Sequence, residues 1–175
     1  MTGTLQVENI IGPTTGANTN TVTIPSTQTL DVSGGTLIPS AGAVVQQAEY
    51  FNDTTFTTTS NSFVTTLASV AITPKYSDSK MLIQVYGNSH AAIANGFRGS
   101  IRKDGTAFSH SGAEDLIAYA QTGSVARGNP VSVATIDNNV GTTNSVTYAY
   151  YIKTSDSSII YFYRNYGIVV QEIKQ

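Results

Sequence analysis

Serine, histidine and acidic side chains that could support hydrolysis meet in one stretch, residues 109–129, SHSGAEDLIAYAQTGSVARGN. A hydrolytic site there would use Ser109 or Ser111 as nucleophile, His110 as base, and Asp115 or Glu114 to orient the base. Ser and Thr make up roughly a quarter of the chain, well above ordinary usage, so a serine beside a histidine carries little information. The chain also lacks a G-x-S-x-G nucleophile turn. We therefore expect no enzymatic activity.

Paired carboxylates for glycan cleavage and ligands for a metal ion are equally poorly supported. Asp104, Glu114 and Asp115 are the acids to consider, but adjacent loop acids have no spacing that fixes a separation between carboxylates. Cysteine is absent, and the chain has two histidines, His90 and His110. A three-fold axis could gather one histidine from each copy into a metal site, although a solvated loop histidine is the simpler interpretation. We expect no catalytic residue, metal or cofactor.

The stretch 109–129 is nevertheless our favoured contact surface, because long loops on a β scaffold are often functional. Within or near turns, Tyr119 and Tyr166 are candidates for ligand contact, since tyrosine stacks on sugar faces and makes adaptable polar contacts. Arg127 and His110 complete the candidate receptor-contact set. The other aromatic residues of the C-terminal third are expected in the core or between subunits; they are Tyr148, Tyr150, Tyr151, Tyr161, Phe162 and Tyr163.

Charge and hydropathy exclude some partner classes. The chain has 9 Lys+Arg against 11 Asp+Glu, and only 11% of its residues are charged. No Lys or Arg precedes Lys75, and the later cations are scattered, so we expect no nucleic-acid contact. No apolar run approaches the ~20 residues of a membrane helix, and the N-terminus lacks the pattern of a signal peptide.

The elements that must position these residues are strands. Alternating apolar residues predict strands separated by turns over 41–51, 62–73, 80–88, 96–103, 106–110 and 130–136. Asp104-Gly105 suits a two-residue hairpin turn. The last block, 146–153, 159–164 and 168–173, predicts two hairpins turning at 154–157 and at 165–167. Residues 115–120 suit either a helical turn or a short edge strand. The pattern predicts an all-β antiparallel sandwich or jelly roll of roughly eight strands.

Residues 1–40 lack the longer alternating strands predicted for residues 41–175, which we call the head. Residues 4–11 are a strand candidate that could pair between copies or dock onto a larger assembly. Residues 10–40, rich in Gly, Pro, Asn and Thr, contain two very short strands, 21–24 and 29–32. Strands this short bury too little surface to order themselves. We predict an attachment strand and shaft over 1–40 and a head over 41–175, with sister copies covering the apolar shaft residues Val22, Ile24, Leu30, Val32 and Leu37.

Several phrases carry a family resemblance. GPTTGANTNTVTIPSTQTLDVSGGTLIPSAGAVVQ resembles the stalk segment of small fibre-like virion proteins of tailed bacteriophages, especially those of marine cyanophages, in which this segment precedes a β head. ITPKYSDSKMLIQV, SIRKDGTAF, SVTYAYYIKTSDSSIIYFYR and IVVQEI also match. The resemblance spans most of the chain, and 109–129 is its least family-like portion.

The resemblance implies a homotrimeric structural protein of a phage particle, attached through its N-terminus to other virion proteins. Its β head would be displayed for attachment to a host-surface glycan or protein. Assembly in a host cytoplasm and release by lysis would fit the absence of a signal peptide. Two alternatives remain: an architectural capsid-decoration or tail-connector protein without a receptor role, and a depolymerase, for which no acidic cluster is evident.

Overall fold

Ten β-strands and no helix make up the part of the chain that the structure describes. The computed structural model describes residue 26 and residues 39–91, 97–107, 117–119, 127–154, 157 and 159–175, with the backbone alone at 91, 97, 117–119 and 127–129. The strands are β1 Val44–Asn52, β2 Phe56–Thr58, β3 Val64–Ile72, β4 Lys80–Ala91, β5 Phe97–Lys103, β6 Thr106–Ala107, β7 Ile117–Tyr119, β8 Arg127–Asp137, β9 Val146–Thr154 and β10 Ile160–Ile173. Within these ranges no helix is long and apolar enough to cross a bilayer.

The strands form two antiparallel sheets. Sheet A has the order β1-β10-β4-β8, with β2 also paired to β10, and sheet B has the order β3-β9-β5, with β6 and β7 both paired to β5. The pairing is nested, because β1 meets β10, β3 meets β9, β4 meets β8, and β5 meets β6 and β7. Nested pairs distributed over two sheets are the connectivity of a jelly roll. The all-β prediction is confirmed.

The core lies between the two sheets and follows the two-residue period of the strands. Met81, Ile83 and Val85 face it from β4, and Tyr148 and Tyr150 face it from β9, each at most 1% exposed. Ile101, Ile152, Ile160, Phe162, Ile168 and Val170 are also buried. Burying each such side chain contributes about 1.5–3 kcal/mol. The alternation predicted for β4 and β9 is confirmed by these positions.

A hydrogen-bonded, partly buried ion pair links the two sheets at the edge of this core. Asp137 at the end of β8 accepts hydrogen bonds from the Lys103 ammonium of β5 at 2.8 Å and from the Tyr148 hydroxyl of β9 at 2.7 Å. Lys103 also donates to the Val140 carbonyl at 2.7 Å. The carboxylate thus holds strands of sheet A and sheet B together.

A second buried carboxylate, Glu172 of β10, organises the loop between β3 and β4. Its side chain is fully buried. It accepts hydrogen bonds from the backbone N–H groups of Lys75 and Tyr76, the hydroxyl of Ser79 and the amide of Gln46. Burial alone would raise the pKa of Glu172, but these hydrogen bonds outweigh it and hold the pKa below its ordinary value. The carboxylate is therefore ionised at neutral pH.

The Asp104-Gly105 hairpin is confirmed. Lys103 pairs with Thr106, and the two turn residues have φ of 48° and 81°. Positive φ at both central residues is the geometry of a type I′ turn, which asparagine, aspartate and glycine adopt most readily. Of the two alternatives for residues 115–120, the described portion is the short edge strand β7.

The prediction of two C-terminal hairpins is wrong. β9 and β10 lie in different sheets, so these two strands do not form a hairpin. The expected turn at 165–167 is an irregularity within one continuous strand, β10, where Asn165 has φ 68°. Asn-Tyr-Gly is turn-like in sequence, but β10 keeps pairing with β4 on both sides of it.

The predicted shaft and its residues Val22, Ile24, Leu30, Val32 and Leu37, and the strand candidate 4–11, lie outside the described residues. Pro39–Gln175 is a compact unit, which contains both sheets.

Candidate functional site

The outer face of sheet A carries a group of aromatic side chains, the aromatic face: His90, Tyr161, Tyr163, Tyr86 and Phe51. Tyr161 and Tyr163 of β10 stack with their ring planes 9° apart and their centroids 5.7 Å apart. The His90 ring of β4 meets both edge-on, with centroids at 5.8 and 5.7 Å. Stacked and edge-on pairs at these distances are favourable arrangements.

Tyr86 extends the aromatic face by lying over β10 at a glycine, Gly167. Gly167 lies opposite Tyr86 in the ladder. A Cβ atom on Gly167 would meet the Tyr86 hydroxyl oxygen at 2.5 Å and the Tyr50 carbonyl oxygen at 2.7 Å. Glycine at 167 is therefore what lets the Tyr86 ring lie over β10, while the ring remains 41% exposed. Phe51, next along the same rung on β1, is 57% exposed.

The outer face of sheet B differs in charge. Arg98 of β5 and Lys153 of β9 are directly opposite each other in the ladder. Together with Asn61 and Thr154 they line a depression of about 250 Å³, the basic cleft. Directly opposite residues in antiparallel strands have Cβ atoms roughly 4.5–5.5 Å apart. The register therefore brings two cationic side chains to one small concavity.

Aromatic rings position the cations beside the basic cleft. The Lys153 ammonium lies 4.3 Å from the centre of the Phe63 ring. The Arg102 guanidinium lies 4.7 Å from the same ring and 5.0 Å from that of Tyr151. Cations within about 6 Å of a ring centre are attracted to it. Phe63 thus lies between a lysine and an arginine, and this part of sheet B combines positive charge with aromatic surface.

The walls of the basic cleft are held by hydrogen bonds across the chain. The Asn61 side chain donates to the Ser157 hydroxyl at 2.9 Å and accepts from the Ser157 N–H at 2.8 Å. The Thr154 N–H donates to the Ser60 carbonyl at 2.9 Å. The turn before β3 is therefore fixed to the end of β9, so the lining groups are positioned in advance.

The structure does not gather the four candidate receptor-contact residues into one site. Tyr119 lies on β7, at the edge of sheet B, whereas Arg127 begins β8 of sheet A. His110 lies outside the described residues. Tyr166 is fully buried and packs against Phe162 with centroids 4.3 Å apart. Tyr166 is therefore a core residue and does not contact a ligand at the surface.

Burial also makes the Tyr166 hydroxyl a poor acid. Burial first, and then the neighbouring Tyr50, raise the pKa of Tyr166 to about 12, against a smaller opposing contribution from the backbone of Leu67. Tyr166 therefore stays neutral at physiological pH. Among the residues that the structure describes, no group of three or more His, Asp or Glu side chains is placed to hold a metal ion.

Sequence reasoning missed the basic cleft. In the sequence Arg98 and Lys153 are two of several scattered cations, because they are far apart in the chain and no residue near either of them indicates that β5 pairs with β9. A partial signal was present, since the alternation in each strand puts both on the side opposite to the core residues Ile101 and Ile152. Tyr161 and Tyr163 are expected from the sequence in the core or between subunits. Their parity opposes that of the buried Phe162, so they lie on the outer face of sheet A and not in the core of the single chain.

Comparison with known proteins adds no identity: no family model matches the chain, and no curated protein matches it either.

Proposed function

We propose that the chain is a fibre- or spike-type virion protein of a bacteriophage. Its β head self-associates as a homotrimer through the outer face of sheet A and is displayed on the particle surface for attachment to host-cell glycan. The N-terminal residues attach the head to other virion proteins. The motifs quoted above suggest the particle, and one structural observation carries the self-association: the outer face of sheet A combines several exposed aromatic and aliphatic side chains with few charges.

Five successive rungs of the ladder make up the centre of this outer face, and the next rung, Ile173–Lys80, adds a lysine at its end. The five central rungs are Gln47–Gln171–Leu82–Ile136, Glu49–Val169–Gln84–Ala134, Phe51–Gly167–Tyr86–Ser132, Tyr163–Asn88–Pro130 and Tyr161–His90–Gly128. Their one charged side chain, Glu49, lies on the edge strand β1. Aromatic enrichment with depletion of charge is the composition of the centre of a protein–protein interface.

Several side chains on these rungs remain accessible in the single chain. Phe51 is 57% exposed, Ile136 45%, Tyr86 41% and Tyr163 38%. The ladder places them on one face, interspersed with exposed polar residues such as Gln84, Asn88 and Ser132. Several exposed large apolar side chains on one face are a common mark of an interaction surface. A second copy of the chain is the partner we infer, since closed symmetric assemblies of identical chains are the commonest oligomers.

Burial of sheet A between copies would leave sheet B facing solvent. The outer face of sheet B, with its cations, aromatic rings and hydroxyl groups, is then the surface presented to the host. Several such heads on one particle would gain avidity from weak individual contacts.

Two measurements on the full-length protein test the proposal. Sedimentation equilibrium should give the mass of three chains, and particles carrying the protein should adsorb to host cells in a manner that free head competes with. A monomer in solution would overturn the self-association. Particles that lack the protein, adsorb normally and lose physical stability would instead identify an architectural decoration or connector.

A further inference from the structure

The outer face of sheet A carries an acid and a base on different strands. Glu49 lies on the edge strand β1. Lys80 is the first residue of β4 and pairs with Ile173 of β10. Both side chains point outward, because the residues next to them, Ala48 and Met81, pack in the core. The face therefore has its acid on the β1 side and its base on the β4 side.

These two charges are too far apart to pair within one chain. Glu49 is opposite Val169 in the ladder, and Val169 is opposite Gln84. Lys80 lies four residues before Gln84, a rise of about 13 Å, and two strand spacings add about 10 Å across the sheet. Among the described residues, Glu49 accepts one long hydrogen bond, from the Gln47 amide at 3.3 Å. Lys80 is in no ion pair with any of them.

A ring of three identical chains brings unlike surfaces together. Each contact in such a ring is head-to-tail, so one region of a copy meets a different region of the next copy. The β1 side of one face then meets the side of the neighbouring face that carries β4 and β8, which brings an acid toward a base. A contact between two β1 sides would instead bring two Glu49 carboxylates together, and like charges placed opposite each other are strongly disfavoured.

Arg164 is another cation near this face, but it lies on the wrong side. It belongs to the irregularity of β10 between Tyr163 and Gly167, beside the end of β1. Arg164 is therefore on the same side of the face as Glu49. A head-to-tail contact keeps like sides apart, so Lys80 is the cation that Glu49 of a neighbouring copy meets.

We propose that neighbouring copies pack head-to-tail through the outer face of sheet A, with the Glu49 carboxylate of one copy paired to the Lys80 ammonium of the next. This inference deepens the proposed self-association and rests on it. Glu49 is exposed on an edge strand, so the pair lies near the rim of the contact. Such a pair selects the orientation of the copies and adds little affinity. The exposed aromatic and aliphatic side chains supply the affinity.

Charge reversal in the full-length protein, followed by sedimentation equilibrium, tests the pairing. Glu49→Lys and Lys80→Glu each place like charges opposite each other at every contact, so each should raise the chain concentration of half-assembly at least about tenfold. The double variant exchanges the two charges and should assemble within about threefold of the parent. Glu49→Gln removes a charge without adding repulsion and should shift that concentration by less than about threefold. High salt should narrow all these differences.

Asp53→Lys and Lys75→Glu are the matched controls. Each reverses one charge at an exposed position between strands, Asp53 between β1 and β2 and Lys75 between β3 and β4. Neither position belongs to a rung of sheet A, so both variants should assemble like the parent. Circular dichroism checks that every variant keeps the β-rich spectrum of the parent.

Each contrary result has a distinct meaning. The proposal is overturned if both single reversals assemble like the parent, or if the double variant assembles no better than the single ones. Rescue of Glu49→Lys by Arg164→Glu instead of Lys80→Glu would also overturn it. A parent of three chains that ignores these charges removes the pairing and leaves the proposed self-association standing. A parent that sediments as one chain overturns both.

Discussion

The carboxylate of Glu172 lies 2.9 Å from the backbone nitrogen of Lys75, 97 positions earlier in the chain. This contact ties the last strand of the head to the loop that joins the two sheets. Glu172→Gln replaces one acceptor oxygen by an amide that cannot accept the same donors. We expect the free energy of unfolding to fall by about 2–4 kcal/mol, measured by urea denaturation at fixed chain concentration. Exposed Glu49→Gln is the control and should change stability by less than about 0.5 kcal/mol.

The same carboxylate predicts how stability depends on pH. The pKa of Glu172 is lower in the folded than in the unfolded chain, so the unfolded chain binds the proton more readily. Its contribution to stability is therefore fully present above the ordinary value of about 4.5 and is lost as the pH falls through the lowered pKa of the folded chain. The difference in unfolding free energy between parent and Glu172→Gln should shrink below about pH 4.5. A difference that is constant from pH 7 to pH 3 would contradict this.

Two neighbouring core tyrosines should respond oppositely to loss of their hydroxyl groups. Tyr148 donates to Asp137, so Tyr148→Phe removes a hydrogen bond to a carboxylate and should cost about 1.5–3 kcal/mol. The buried Tyr150 hydroxyl has no hydrogen-bond partner within the described part of the chain, so Tyr150→Phe should be neutral or stabilise by up to about 1 kcal/mol. Thermal unfolding of both variants tests the pair, and equal destabilisation would refute it.

The ion pair between the sheets should matter more than one at the surface. Lys103→Met leaves the buried Asp137 without its cation, and we expect a loss of about 1–3 kcal/mol. Lys174→Met breaks a longer contact, 3.2 Å, with Asp78, whose side chain is 62% exposed. Such exposed pairs contribute about 0–1 kcal/mol. Similar losses in both variants, measured by urea denaturation, would show that Asp137 does not depend on Lys103.

Substituting exposed apolar residues on each sheet tests which sheet mediates self-association. Ile136→Glu and Phe51→Glu place a charge on the outer face of sheet A and should shift the sedimenting mass from three chains toward one. Leu67→Glu, on β3 of sheet B, is the matched control, because Leu67 is 42% exposed and Ile136 is 45% exposed. Its mass should equal that of the parent. Dissociation by Leu67→Glu but not by Ile136→Glu would assign the interface to the other sheet.

Local pattern predicted most strands of the head, because each signal is contained within one strand or turn. The alternation of Met81, Ile83 and Val85 identifies the buried side of β4, and Asp104-Gly105 identifies a turn that needs positive φ at both residues. Local pattern does not predict that β9 and β10 lie in different sheets. Two apolar strands joined by a short polar segment have the same sequence signature whether they form a hairpin or cross between sheets.

The candidate site was harder to predict for the same reason. Arg98 and Lys153 become neighbours only through the pairing of β5 with β9, which no residue near either of them specifies. Tyr166 was misplaced because Asn165-Tyr166-Gly167 resembles a turn, and a tyrosine in a turn is expected at the surface. In the fold the irregularity lies within β10, and its central ring points into the core.

That irregularity gives β10 a reserve of chain length. Between Tyr163 and Gly167, β10 advances four residues while its partner β4 advances two, from Asn88 to Tyr86. The surplus is an even number, so inward and outward positions keep the same order before and after it. Deleting Asn165 alone would leave a surplus of one residue, which a β-bulge accommodates by placing two residues of β10 opposite one of β4. Deleting a pair of residues would remove the surplus and leave every later side chain, Val170 and Glu172 included, on its own side.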